Sequence, residues 1–241
     1  MMRQYVTDEE FGRVCVEVNA QARHLIARVK SDGLHVTVPP LTPLLSVRHM
    51  IDMHREDIRR MMAKAEATRT HIDFDFAIHT DLLTLRLEPV DIPAPVAGQG
   101  IRVQLTRQPG ETVLGLPRAL DFDHWQEPIH HFLLEQLRWQ ARAVLAPRIQ
   151  QLAEKHGFTF NNLTFKKSRS NWGSCSVRGN INLSIFLMTL PSHLVDYVLL
   201  HELCHTRHQD HSPSFWALMD EVIGGSAKAL QRELRAYRTQ L

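Results

Sequence analysis

The residues with the clearest chemical potential are two histidines one helical turn apart, with a glutamate directly after the first. His201, Glu202 and His205 end an apolar run that follows Pro191 and is typical of a buried helix. Side chains four residues apart project from the same face of a helix, so both imidazoles can reach one metal ion. Helical geometry rotates Glu202 by about 100° from His201, which places its carboxylate beside that ion. We therefore predict a zinc site at which Glu202 acts as the general base toward a metal-activated water.

A third histidine that could complete this site lies six residues after His205. A catalytic zinc ion takes three protein ligands and keeps one position open. His211 precedes Ser212-Pro213, a typical helix start, and is predicted to lie at the junction of two helices. His208 would compete if the first helix continued, and Cys204 is a further alternative, although a cysteine in an apolar helix is usually a packing residue. The predicted ligands are His201, His205 and His211.

The composition is that of an ordinary folded chain. Of the 241 residues 44% are hydrophobic, and 28 basic against 26 acidic residues give a net charge of +2. This balance excludes a highly charged disordered chain and argues against a domain devoted to the nucleic-acid backbone. Three cysteines beside 15 histidines exclude a disulfide framework and indicate a reducing compartment. With neither a membrane span nor a signal peptide predicted, we expect a cytoplasmic protein without a membrane partner.

The elements that must position the site divide into two predicted lobes. The first half is predicted to be β-rich with one helix, and the Asp-Gly at 32–33 predicts a hairpin. The second half is predicted to be mainly helical with a small sheet, and Pro147 should kink or divide its first helix. The fold class is therefore α+β, with lobes at 1–120 and 121–241. The predicted strands are 14–18, 24–30, 34–38, 72–78, 82–87, 101–105, 163–166 and 181–186, and the predicted helices are 46–67, 125–156, a helix after Pro191, and 213–223.

The motif His-Glu-Leu-Cys-His at 201–205, followed by His-Ser-Pro-Ser-Phe-Trp at 211–216, resembles the YgjP-like predicted metal-dependent hydrolases. These are relatives of the SprT and WLM zinc peptidases. The resemblance extends upstream through Trp-Gly-Ser-Cys-Ser at 172–176 and, more loosely, to the N-terminal hairpin, so that it covers most of the chain. It implies a zincin-like, minimal gluzincin fold for the C-terminal lobe, with the three histidines on zinc and Glu202 as general base.

Three positions depart from known patterns. Asn171 stands where the family pattern has a basic residue, and Ser184 stands where it has asparagine. Neither belongs to the predicted metal set, but both could alter substrate contacts. His208 replaces the turn glycine of metzincins, which argues against membership of that group.

The leading functional hypothesis is a single-zinc metallopeptidase acting on peptides or proteins. A strand at 181–186 could align an extended peptide if it lies at a sheet edge, and Asp196, Asp220 and Glu221 could orient ligand imidazoles. One alternative is a nucleotide pyrophosphatase of the UTP type at the same metal site. Another is a non-catalytic, zinc-stabilised module that binds DNA or protein. The basic residues that could hold phosphates are Lys155, Lys166, Lys167, Arg169 and Arg178.

Overall fold

The computed structural model describes residues 3–30, 33–67, 70–96 and 98–238. Within these ranges the chain forms six α-helices and three small β-sheets, which confirms the predicted α+β class. Its contacts divide it into two compact units, Met1–Thr70 and His71–Leu241. Among the described helices, none is both long and apolar enough to cross a bilayer.

The N-terminal unit is a four-stranded sheet with two helices. The sheet order is β1-β2-β4-β3, with β2 and β4 parallel and the other neighbours antiparallel. One sheet face carries valines that pack against Val47, Ile51 and Ile58 of the helices, and this contact forms the core of the unit. The elements are β1 Arg3–Asp8, β2 Gly12–Val18, β3 Ile26–Lys30, β4 Gly33–Val38, α1 Leu44–Met53 and α2 Arg55–Ala67.

Two predictions for this unit meet different outcomes. The hairpin is confirmed, because β3 and β4 pair antiparallel and Gly33 has a φ of 117°; its turn residues 31 and 32 lie outside the described residues. The prediction of a single helix over 46–67 is wrong, because the helix is interrupted at His54, whose backbone angles are φ −115° and ψ 21°. A new helix starts directly afterwards, and the acidic Glu56 and Asp57 in its first turn favour a helix N-terminus.

The C-terminal unit begins with a second four-stranded sheet that packs with a long helix, α3. The sheet order is β5-β6-β8-β7, and Leu85 and Leu114 of its central strands belong to the same core cluster as Leu133 and Leu137 of α3. This shared core explains why the boundary between the compact units lies at 70/71, well before the division at 120/121 expected from the sequence. The elements are β5 Ala77–His79, β6 Thr84–Val90, β7 Gln104–Gln108, β8 Glu111–Pro117 and α3 Phe122–His156.

Helix α3 runs unbroken for 35 residues with Pro128 and Pro147 inside it. Of the two predicted effects of Pro147, a kink or a division of the helix, the division is therefore wrong. A proline removes one backbone hydrogen bond, but Leu145, Ile149 and Ala153 on either side remain buried against the core and keep the helix continuous.

The remaining elements surround the predicted site. A three-stranded sheet has the order β10-β11-β9, so β11 lies at its centre and is paired on both sides. The condition under which the strand at 181–186 could align a peptide, a free sheet edge, is therefore not met. Within the described strands, β10 is an edge. At the start of α4 the Asp81 carboxylate accepts hydrogen bonds from the backbone N and the hydroxyl of Ser192, at 3.1 and 2.8 Å. The elements are β9 Asn162–Lys166, β10 Gly173–Cys175, β11 Asn180–Ser184, a 3₁₀ turn Ile185–Thr189, α4 Ser192–Cys204, α5 Pro213–Ile223 and α6 Ala227–Leu234.

Candidate metal centre

Helix α4 supplies two of the three predicted ligands. Its fully buried residues Leu199, Leu203 and Cys204 anchor the last turns in the core. The Nε2 atoms of His201 and His205 lie 3.1 Å apart. The spacing of four residues therefore brings both imidazoles to one point, as the sequence predicted.

His211 joins them from the segment before α5. Its Nε2 atom lies 3.2 Å from Nε2 of His201, and the three ligand atoms all lie within 4.8 Å of one another. Two nitrogens bound tetrahedrally to one zinc ion at 2.0–2.1 Å are about 3.3 Å apart. The separations from His201 are thus close to those of a zinc ligand set, and three imidazoles are a donor set that zinc accepts in catalytic sites. Helix α5 spans Pro213–Ile223 and is capped by Gly224 (φ 71°), as expected from the sequence.

The orientation of His205 is fixed by a main-chain atom. Its Nδ1 lies 2.9 Å from the carbonyl oxygen of His208. A carbonyl can only accept, so Nδ1 carries the proton and the lone pair of Nε2 faces the metal position. His208 therefore contributes to the site through its backbone.

Two of the three carboxylates considered for this orienting role bind other groups, and the third is exposed. Asp196 accepts from Arg148 Nη2 at 2.8 Å. Asp220 accepts from the backbone N of Ala227 at 2.8 Å, at the start of α6. Glu221 is exposed on α5.

Phe215 contacts all three imidazoles, a role that the sequence analysis missed. Its ring is fully buried, stacks on His205 with centroids 4.6 Å apart, and meets His201 and His211 edge-on at 5.0 and 4.9 Å. The spacing of four residues between His211 and Phe215 was the available signal. Trp216 extends this aromatic wall, with its ring 5.9 Å from that of His211.

Glu202 is the buried carboxyl group of the site. It is 4% exposed, and burial raises its pKa to about 8. Its Oε2 atom has no hydrogen-bond partner among the described residues. The carboxylate lies against Gly173 of β10, where an added Cβ would be 2.5 Å from Oε1. This contact gives the glycine of the Trp-Gly-Ser-Cys motif a physical role.

Two of the imidazoles, those of His201 and His205, are favoured in the neutral form that binds metals. Burial, together with His205 and His211, lowers the pKa of His201 to about 3. Burial also lowers the pKa of His205. Nδ1 of His201 is a further buried polar atom without a partner in the described part of the chain. The donor set therefore fits a divalent transition metal.

The two cysteines near the site are protonated at neutral pH. Burial raises the pKa of Cys204 to about 12, and burial together with Glu202 raises the pKa of Cys175 to about 11. Cys204 belongs to the hydrophobic core, in agreement with its interpretation as a packing residue. Neither thiol has the ionised character of a nucleophile or a metal ligand.

Three converging imidazoles are a metal donor set that metal-dependent hydrolases use, and a carboxyl group can serve such enzymes as the general base. The family model of the YgjP-like metallopeptidase domain matches residues 23–237, which is most of the chain. The protein therefore belongs to the YgjP-like metallopeptidase family, and the resemblance found in the sequence is confirmed.

Two further comparisons complete this result. Among solved structures, the chain is similar to the metallopeptidase zymogen of Pyrococcus abyssi abylysin. The identity is 23%, the TM-score is 0.34, and the match covers 39% of this chain and 95% of the other. No curated protein matches the chain.

Proposed function

We propose that the protein is a zinc-dependent peptidase with a zincin-like C-terminal lobe, zinc ligands His201, His205 and His211, and Glu202 as general base. The observation that carries this proposal is the convergence of three Nε2 atoms, with the buried Glu202 directly after His201 in the chain. When bound, zinc supplies a Lewis acid that polarises a carbonyl and lowers the pKa of a water ligand to about 7.

The protein's own residues provide the proton transfer and the orientation. Glu202 takes the proton from the attacking water and delivers it to the leaving amine. Burial raises the pKa of Glu202 in the metal-free protein, and a zinc ion bound nearby would lower it again, so that the carboxylate could accept and release a proton near neutrality. The His208 carbonyl fixes the tautomer of His205, Phe215 supports the imidazole rings, and Gly173 leaves the space that the carboxylate occupies.

The edge of β10 supports a peptide as the substrate. Ser184 N donates to Trp172 O, and Ser176 N donates to Asn180 O, on the β11 side. Because alternate residues of an antiparallel strand face opposite neighbours, the backbone groups of Gly173 and Cys175 point to the open edge. An extended peptide can pair there, beside Glu202. Of the basic residues considered for phosphate binding, Lys167 pairs with Glu135 at 2.9 Å.

The test combines metal analysis with hydrolysis of denatured casein, a mixed peptide library and UTP. We expect about one zinc in the His201–His205–His211 site. Glu202→Gln should keep this zinc and lose about 10²- to 10⁴-fold of the peptidase activity, whereas the matched exposed variant Glu221→Gln should retain both.

His211→Ala should lose the site's zinc, and His208→Ala should keep it because only the backbone of His208 is used. Cleavage of UTP but not of peptides, abolished by Glu202→Gln, would favour the pyrophosphatase alternative. A zinc-loaded chain without hydrolytic activity would favour the binding module. If His211→Ala still bound zinc at this site, His211 would not be the third ligand.

We also propose that the protein works in the cytoplasm. Its three cysteines, Cys15, Cys175 and Cys204, are all free, as is usual for proteins of reducing compartments. Expression followed by cell fractionation tests this assignment.

A further inference from the structure

A second group of metal-ligating side chains lies in the N-terminal sheet. Along β2, Val14 and Val16 face the helices of the unit, so alternation places Cys15 and Glu17 on the opposite face. The parallel register pairs Cys15 with His35 of β4, which places His35 on that same face. All three side chains are buried, with at most 8% of any residue exposed.

The separations of these side chains suit a shared ion. The Nδ1 atom of His35 lies 3.7 Å from Oε1 of Glu17, which is beyond the usual hydrogen-bond distance. Ligand atoms around a tetrahedral zinc ion are roughly 3.3–3.5 Å apart. One ligand atom of each residue, including the sulfur of Cys15, lies within 4.8 Å of the others. Small side-chain adjustments would bring the three onto one ion.

The chemistry of the group favours zinc. A thiolate and an imidazole select zinc over magnesium or calcium. The thiolate and the carboxylate together carry two negative charges, which a divalent cation balances, so the loaded site is electrically neutral and suited to its buried position. The ligands also lie on the two central strands of the sheet, whose backbones are held on both sides.

We propose that Cys15, Glu17 and His35 form a second zinc site, within the N-terminal unit, that links β2 to β4. Cys15 and Glu17 precede residue 23, where the family match begins. His35 lies inside that match, so two of the three proposed ligands fall outside the matched metallopeptidase domain. The proposal does not depend on the proposed peptidase function.

The test uses the full chain with the first site removed by His201→Ala and His205→Ala. After exposure to zinc under reducing conditions, this variant should keep about one zinc, and X-ray absorption should show one sulfur ligand at about 2.3 Å. Adding Cys15→Ser should remove the sulfur signal and weaken zinc binding at least about 10-fold. The matched control Cys175→Ser should change neither.

Two further samples keep the test decisive if a variant does not fold. A chain in which Cys175 and Cys204 are replaced by alanine keeps Cys15 as its one cysteine and should still show the sulfur ligand. The unmodified chain should hold about two zinc ions, with on average about half a sulfur per zinc. A folded double-histidine variant that binds no zinc, a zinc environment of only nitrogen and oxygen, or a sulfur signal that survives Cys15→Ser would overturn the proposal.

Discussion

At the scale of single residues, Glu202 makes the metal-free protein sensitive to pH. The folded state holds a proton on this carboxyl group up to about pH 8, whereas an unfolded glutamate releases it near 4.5. The unfolded state therefore binds fewer protons between these values, and the free energy of unfolding contributed by this group falls as the pH rises through them.

Glu202→Gln should remove this fall in the free energy of unfolding, because glutamine does not titrate. In the presence of a chelator, the melting temperature of the variant should match that of the wild type at about pH 4 and exceed it at about pH 9. Thermal unfolding at the two pH values measures this difference, with Glu221→Gln as the exposed control. An advantage of the same size at both pH values would contradict the buried, protonated carboxyl group.

Gly173 determines where the Glu202 carboxylate can lie. In Gly173→Ala the new Cβ would be 2.5 Å from Oε1 and 2.7 Å from Cγ of Glu202, so the whole side chain must move. We expect kcat to fall by about 100-fold, the effect of a displacement of roughly 1 Å at a reacting group, with unchanged zinc content.

Gly225→Ala is the matched control for this substitution, because nothing lies within 4 Å of its added Cβ. Steady-state peptidase assays and metal analysis on both variants test the prediction. Full activity in Gly173→Ala would show that the carboxylate tolerates the shift.

At the scale of elements, Gln140 of α3 holds the β7–β8 hairpin. Its Nε2 donates to the carbonyls of Gln108 and Glu111, and its Oε1 accepts from Gly110 N, each at 2.8 Å. Gln140→Leu leaves these part-buried backbone groups without their partner and should lower the free energy of unfolding by roughly 2 kcal/mol.

Chemical denaturation measures the loss. The exposed Gln151 of the same helix provides the control, since Gln151→Leu should change the unfolding free energy by less than about 0.5 kcal/mol. Equal stabilities for the two variants would mean that solvent replaces the lost hydrogen bonds.

The elements that could be predicted are those with local signals. The Asp-Gly hairpin and the ends of α5, marked by Ser212-Pro213 and Gly224, were found because the residues themselves favour those conformations. Strand β8 was missed because Gly115 and Pro117 weaken a strand pattern, while its position between β6 and β7 depends on long-range pairing. The break at His54 contains neither proline nor glycine.

The candidate site shows the same division between local and long-range information. The histidine spacing predicted which imidazoles converge, because helical geometry is local. Turns and the pairing of distant segments bring Gly173, Phe215 and the His208 carbonyl to the site. The contribution of a backbone oxygen cannot be predicted from residue type, because every residue has one.

At the scale of the whole molecule, the two compact units make the boundary at 70/71 testable. All the residues of the proposed peptidase site and one continuous core lie within His71–Leu241. A chain of residues 71–241 should therefore fold cooperatively and bind about one zinc.

A chain of residues 121–241 is the informative comparison. It lacks β5 to β8, so Leu133 and Leu137 of α3 lose the leucines of those strands that belong to the same core cluster. We expect it to aggregate or unfold without a sharp transition. Circular dichroism and size-exclusion chromatography compare the two. A stable, zinc-binding 121–241 chain would support the division expected from the sequence.

The hydrogen bond from His205 to the His208 carbonyl determines which mutations near position 208 should leave metal binding intact. Every amino acid carries the same main-chain oxygen, so codon changes at 208 should be nearly silent for metal binding. A gain or loss of one residue between 205 and 208 would move that oxygen away. In a mutational library, this short turn should therefore accept many replacements and few changes of length.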